Sequence, residues 1–164
     1  MKFVCYLRDP VKRSFSQFKH EIRRRAREPS WRKGRKVVYD FNVEIADMAQ
    51  PIFQKSLYWK CLEPYIRLFG ARQFFVGAFE KLIEDESDML SLIRWLDLDV
   101  SNTKITPDVV NKDRFVPKRS LFRTEIIIPP DMSTVNWLRS CFSEEAIRLE
   151  NQFDINLLGK WGWR

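Results

Sequence analysis

An arginine and a serine near the start of the sequence have the types and spacing needed to bind a phosphate group. Arg8 follows a short apolar run, and Ser16 lies eight residues later. A guanidinium offers a planar fork of donors to two phosphate oxygens, and a serine hydroxyl offers one more donor. The pair therefore predicts an anion site. The alternative is that both residues lie on an exposed surface and bind no ligand.

The elements that must position these two residues are a strand followed by a helix. Residues 2–7 form a short, mainly apolar run rich in β-formers, which predicts a buried strand. Asp9-Pro10 then predicts a helix start, because aspartate caps helices and proline is tolerated at the first helical position. An apolar stripe over residues 11–22 extends that helix to about Arg27. Arg8 would thus lie at the carboxyl end of a strand, where open α/β sheets bind ligands.

Positive charge is concentrated in the same part of the chain. The 164 residues carry a net charge of +7, and residues 1–39 hold 13 basic and 3 acidic residues. Such a field attracts phosphate, sulfate, nucleic acid or acidic glycans. A solvated basic helix face is the alternative interpretation.

Several classes of site and of protein are excluded by the composition. Three widely separated cysteines argue against a disulfide framework or a paired-cysteine zinc site and favour a reducing compartment. The single histidine, His20, rules out a two-histidine metal site and is expected on the surface. The five glycines form no Gly-rich phosphate loop. With no long apolar run, and Arg8 too early for a signal peptide, we expect a soluble, cytoplasmic protein.

The rest of the chain predicts further helices and one more strand. A basic loop is expected over 29–40, a second buried strand over 73–77 and a long polar loop over 97–120. The predicted helices are 42–49, 53–69 with a kink or break at Pro64 and an end at Gly70, 89–96, 131–142, and 144–153 with Ser143 as its cap.

Read as a whole, residues 6–18 (YLRDPVKRSFSQF) resemble the 3′-phosphate-binding segment of sulfotransferases that use 3′-phosphoadenosine 5′-phosphosulfate (PAPS). The resemblance covers nearly all of the chain. Supporting segments are Ser56-Leu57-Tyr58 with Leu62, Tyr65 and Phe69-Gly70; the strand 73–82 with its Glu-x-Leu ending; 92–98, with Asp97 where the family has glycine; and 149–161.

The resemblance implies a fold, a donor and site residues. The fold would be a partial P-loop-NTPase-like three-layer α/β fold, with short parallel strands flanked by helices and a helix-rich C-terminal part. Arg8 and Ser16 would bind the 3′-phosphate, and Lys118 and Arg119 would belong to a late basic loop that folds over the nucleotide. PAPS would donate a sulfuryl group to a hydroxyl or amine on a carbohydrate, lipid or small alcohol, leaving adenosine 3′,5′-bisphosphate (PAP), with no metal.

The sequence departs from the family pattern at its front. The family's 5′-phosphosulfate loop and catalytic base precede the Arg-Asp-Pro strand, and no counterpart exists in these 164 residues. Residues 1–164 are therefore expected to be a single, incomplete sulfotransferase domain, inactive alone, with no catalytic residue and with a complementary upstream segment as partner. Two alternatives stay open: a non-catalytic remnant, and a basic nucleic-acid-binding module that stacks bases on Trp31 and Tyr39.

Overall fold

The protein alternates short strands with helices, and a computed structural model describes residues 1–25, 37–84, 86–99 and 125–164. Its strands are β1 (Phe3–Leu7), β2 (Val37–Asp40), β3 (Phe74–Ala78) and β4 (Glu125–Ile128). Its helices are α1 (Pro10–Arg25), α2 (Phe41–Glu44), α3 (Pro51–Gln54), α4 (Tyr58–Phe69), α5 (Phe79–Glu84), α6 (Glu86–Trp95), α7 (Met132–Phe153) and α8 (Leu157–Lys160).

The described strands form two parallel pairs. β1 pairs with β3, with Leu7 opposite Ala78, and β2 pairs with β4, with Asp40 opposite Ile128. Parallel strands need crossover connections, and helices occur in the crossovers of both pairs. The predicted α/β class, with short parallel strands flanked by helices, is confirmed.

Helices cover both faces of the β1–β3 pair. On one face, buried side chains of the strands pack against α4, α7 and α8, the helices that contribute Ile66, Leu149 and Leu157 to this core. On the other face, the Phe75 ring lies 5.8 Å from the Trp95 ring of α6. Apolar residues on both faces are typical of parallel strands, which read as continuous apolar runs.

A second core surrounds the β2–β4 pair. It is built from apolar residues of α1, β2, α2, α3 and α7, including Phe18, Phe41 and Phe142. Because α7 contributes to both cores, this helix joins the two strand pairs. Tyr39 belongs to the second core and is only 7% exposed.

The expected loop over 29–40 is wrong at its end, because Val37–Asp40 is a strand. The strand is only four residues long and follows a basic run that dominated the sequence pattern. Its partner β4 was not anticipated either. Each of these short strands pairs with a segment far away in the sequence, and such pairing leaves no local pattern.

The predicted helix over 53–69 is divided, although not at Pro64. α3 ends at Gln54 and α4 begins at Tyr58, and α4 continues through Pro64. Pro64 is exposed, so the carbonyl group that it leaves without a helical donor can bind water. Gly70 ends α4 as predicted, with φ of 81° and its N–H donating to the Ile66 carbonyl.

The two helices predicted over 131–142 and 144–153 form one continuous helix in the structure. α7 runs unbroken from Met132 to Phe153, and its cap is Asp131, whose carboxylate accepts the Thr134 N–H at 2.7 Å. Ser143 does not cap a helix. Its hydroxyl donates to the Arg139 carbonyl at 2.6 Å, the back-bonding pattern of a serine inside a helix.

Two further helix predictions hold in part. The helix predicted over 42–49 is the single turn of α2, and α1 is described as far as Arg25. The helix over 89–96 is confirmed as α6. Asp97, noted above as standing where the family has glycine, has a φ of 60° in the left-handed region that favours glycine and that aspartate tolerates.

Candidate functional site

The candidate site lies at the carboxyl ends of β1 and β3. These ends are level, because Leu7 is the register partner of Ala78. Arg8-Asp9 follows the first strand, and Phe79-Glu80 follows the second. Carboxyl ends of parallel strands are where open α/β sheets bind ligands, and Arg8 lies at such an end as predicted.

Asp9 begins α1 as predicted. Its side chain is 3% exposed, and Oδ1 accepts the N–H groups of Val11 at 2.8 Å and Lys12 at 3.3 Å. Pro10 occupies the first helical position. The carboxylate thus satisfies helix donors that have no intrahelical partner, and its negative charge lies at the positive end of the helix dipole.

Two distant side chains hold the two polar groups of the peptide bond that joins Arg8 to Asp9. The Tyr58 hydroxyl donates to the Arg8 carbonyl at 2.8 Å, and the Asp9 N–H donates to Glu80 Oε1 at 3.0 Å. The second carboxylate oxygen of Glu80 is buried and has no hydrogen-bond partner in the part of the chain that the structure describes. The turn after β1 is therefore fixed from α4 and from the first turn of α5, the helix that follows β3.

The electrostatics of this turn keep Tyr58 a hydrogen-bond donor. Burial raises the pKa of the Tyr58 phenol far above its usual range. The cation of Arg13 opposes that rise, whereas the carboxylates of Glu80 and Asp9 add to it. The phenol stays protonated throughout the physiological range, so its bond to the Arg8 carbonyl persists.

Arg13 connects α1 to α3 and to the residues that follow α3. Its guanidinium is half-buried and donates to the Ser56 hydroxyl at 2.9 Å and to the Ile52 carbonyl at 3.1 Å. The Ser56 hydroxyl lies 2.8 Å from that of Ser14, and both serines are buried. These bonds give the Arg13 guanidinium a structural role.

The two residues first singled out occupy different elements. Arg8 is exposed at the strand end, and its guanidinium makes no hydrogen bond or ion pair with any residue that the structure describes. Ser16 is half-buried on α1, six residues after Pro10 or about 9 Å along the helix axis, and its hydroxyl is likewise unpaired within the described ranges. No hydrogen bond joins the two side chains, and their shared anion site stays a prediction.

The other predicted residues have mixed outcomes. Lys118, Arg119 and Trp31 lie outside the described residues. Tyr39 is buried in the second core, so its ring is not available to stack on a base. His20 is exposed, as expected.

Sequence reasoning gave no role to three residues that fix the turn. Glu80 begins the Glu-x-Leu ending, and Tyr58 lies in the Ser-Leu-Tyr segment, so both were noted only as marks of resemblance. The Trp163 indole N–H donates to Asp9 Oδ2 at 3.2 Å across a separation of 154 residues, and no sequence signal pointed to it.

The described residues contain neither a cluster of metal ligands nor a membrane-spanning helix. They contain no cluster of three or more histidine, cysteine, aspartate or glutamate side chains able to hold a metal ion. None of the helices in those ranges is long and apolar enough to cross a bilayer.

Comparison with solved structures identifies a similar fold. The crystal structure of a sulfotransferase from Alicyclobacillus acidocaldarius matches with a TM-score of 0.58 and 22% sequence identity. The fold of this chain is therefore similar to that of a sulfotransferase. The match covers 98% of this chain and 57% of that chain, so this chain spans little more than half the length of its structural relative. No protein-family model and no curated protein matches the sequence.

Proposed function

We propose that this chain is the 3′-phosphate-binding part of a sulfotransferase that transfers a sulfuryl group from PAPS to a hydroxyl or amine. The observation that carries the proposal is the guanidinium of Arg8, which has no partner among the described residues and lies at the carboxyl edge of β1, on a backbone turn held by Tyr58 and Glu80. An exposed cation on a fixed backbone suits an anion that must bind in one orientation. The sulfotransferase fold supports the choice of nucleotide.

Arg8 binds two oxygens of the 3′-phosphate in this proposal, and the Ser16 hydroxyl donates to a third. Lys118 and Arg119 add positive charge from the late loop. In-line transfer of a sulfuryl group resembles phosphoryl transfer, in which proteins act mainly by positioning and charge stabilisation. No residue of these 164 is assigned as catalytic base, and the remaining groups belong to the complementary upstream segment, with residues 1–164 as one incomplete domain.

The acceptor in this proposal is a carbohydrate, a lipid or a small alcohol. The basic nucleic-acid-binding alternative loses support, because Tyr39 is 7% exposed and cannot stack on a base. The remaining alternative is a folded, non-catalytic remnant. Such a protein should bind nucleotides with and without a 3′-phosphate equally well, whereas the proposed protein should bind the one with the 3′-phosphate more tightly.

Calorimetric titration with PAP and with adenosine 5′-monophosphate, which lacks the 3′-phosphate, tests the proposal. We expect PAP to bind more tightly, and Arg8→Ala to weaken PAP binding by about 1.5–3 kcal/mol, the range for a hydrogen bond to a charged group. Arg72→Ala is the matched control, because Arg72 is exposed at the opposite end of the same strand pair. Equal affinities for the two nucleotides, or equal losses in the two variants, would refute the assignment.

A further inference from the structure

The turn after β1 has a third distant support. This one acts on the side chain of Asp9, whereas the first two act on the backbone. Asp9 uses its two carboxylate oxygens for different partners. Oδ1 caps α1, and Oδ2 accepts the indole N–H of Trp163 at 3.2 Å. The turn is thereby held to α4 by Tyr58, to the start of α5 by Glu80 and to residues 161–164 by Trp163.

The 161–164 segment is itself firmly anchored. Trp161 is 5% exposed in the first core, and its ring lies 5.4 Å from that of Trp163. The backbone N–H of Trp163 donates to the Leu158 carbonyl at 2.9 Å. The Arg164 guanidinium forms an ion pair with Glu150 at 3.0 Å. The Trp163 indole therefore reaches Asp9 from a fixed position.

Trp163 also connects the two hydrophobic cores. Its half-buried ring packs against both hydrophobic cores, and the guanidinium of Arg139 on α7 lies 5.8 Å from the ring centroid. A cation at this distance is attracted to the face of an indole ring. The position of the Asp9 carboxylate is thus coupled to the packing of α7 and α8.

We infer that Trp163 is a positioning residue for the anion site, holding the Arg8–Asp9 turn in the conformation that presents the Arg8 guanidinium to a 3′-phosphate. The side chain of Arg8 has no hydrogen-bonding partner of its own in the described ranges, so its starting direction is set by the backbone of the turn. Fixing that backbone in advance removes part of the ordering cost of binding. The inference rests on the proposed function for its ligand, and on the Asp9–Trp163 contact for its geometry.

The test is Trp163→Phe, which keeps an aromatic ring and removes the indole N–H. We expect PAP affinity to fall about two- to tenfold, the effect of one ordinary hydrogen bond, with no change in affinity for adenosine 5′-monophosphate. In an Arg8→Ala background the same substitution should cause no further loss, because Trp163 acts through Arg8. Trp137→Phe is the control, since Trp137 lies at the surface of α7 and has no hydrogen bond from its indole in the described structure.

A second measurement does not depend on nucleotide binding. Hydrogen exchange of the amides of Asp9, Val11 and Lys12 should be faster in Trp163→Phe than in wild type or Trp137→Phe, because the Asp9 carboxylate loses one of its supports. Failure of wild type to bind PAP, with faster exchange in Trp163→Phe, would overturn the proposed function and keep the support of the turn. Unchanged exchange, or equal losses of affinity for both nucleotides, would overturn the role of Trp163.

Discussion

The Glu80 carboxylate accepts the backbone N–H of Asp9 at 3.0 Å, which links the second residue after β1 to the second residue after β3. The two strands are paired, so this bond closes the carboxyl edge of the pair just beyond its last register partners, Leu7 and Ala78. A buried N–H in such a place needs an acceptor, because leaving it unpaired costs about 1–3 kcal/mol. Glu80 therefore stabilises the fold and the candidate site through the same atom.

Replacing Glu80 with alanine should remove that acceptor and lower the free energy of unfolding by about 1–3 kcal/mol. Glu80→Gln keeps a carbonyl oxygen for the Asp9 N–H and should cost less. Urea denaturation of the two variants measures the difference. Equal losses in both would show that the charge of Glu80, rather than its acceptor atom, is what matters.

Gly77 is a position where the fold needs the absence of a side chain. An added Cβ would lie 2.8 Å from Cε1 of Tyr6, whose ring covers the glycine from the neighbouring strand. Gly77→Ala should therefore lower the free energy of unfolding by about 1–3 kcal/mol, the usual cost of overpacking a core. The same substitution should cost much less in a Tyr6→Ala background and as much in Tyr6→Phe, which keeps the ring. Equal costs in all three backgrounds would contradict the steric explanation.

The cap of α7 predicts how stability depends on pH. The hydrogen bond from the Thr134 N–H holds the pKa of Asp131 below its ordinary value of about 3.9. A carboxylate with a lowered folded pKa stabilises the protein above the unfolded pKa, and this contribution is lost as the pH falls through the folded pKa. Asp131→Asn keeps a capping oxygen without the charge. Wild type should therefore be the more stable protein at neutral pH, and its advantage in thermal melting should disappear in acid; a constant difference at all pH values would contradict this.

Local signals predicted the part of the fold that carries Arg8. The apolar run, the Asp9-Pro10 start and the stripe of α1 all lie within a few turns of one another, and β1 and α1 form as expected. The same reasoning failed for β2 and β4, because these four-residue strands are stabilised by pairing across the chain. It failed for Ser143, because a serine cap and a serine bonded back to its own helix look alike in sequence.

The candidate site divides in the same way. The positions of Arg8 at the end of a strand and of Asp9 at the start of a helix were predicted, because both depend on neighbouring residues; the binding role of Arg8 stays a prediction. The turn is also held by three residues that are far from it in the sequence and near it in the fold: Tyr58, Glu80 and Trp163. Contacts across 50, 71 and 154 residues have no local pattern from which they can be read.

The final prediction concerns turnover. The 164-residue chain is expected to bind PAP and not to transfer sulfate from PAPS, because the donor loop and general base that the proposal assigns to the upstream segment are both needed. Loss of a single group that stabilises developing charge costs enzymes about a hundredfold to a thousandfold in rate. Within the described residues β1 pairs along one edge only, so a further parallel strand has an edge to join.

The assay is transfer of radiolabelled sulfate from PAPS to carbohydrate, phenol and lipid acceptors, with and without the polypeptide encoded immediately upstream of Met1. Restored transfer that is lost in Arg8→Ala and kept in Arg72→Ala would support a divided enzyme. Efficient transfer by the 164-residue chain alone, lost in Arg8→Ala, would mean that the groups stabilising the transition state lie among its own residues. The first atom to test would then be the Glu80 oxygen that is buried and has no hydrogen-bond partner in the described structure. It lies at the same strand edge as Arg8 and can accept a hydrogen bond.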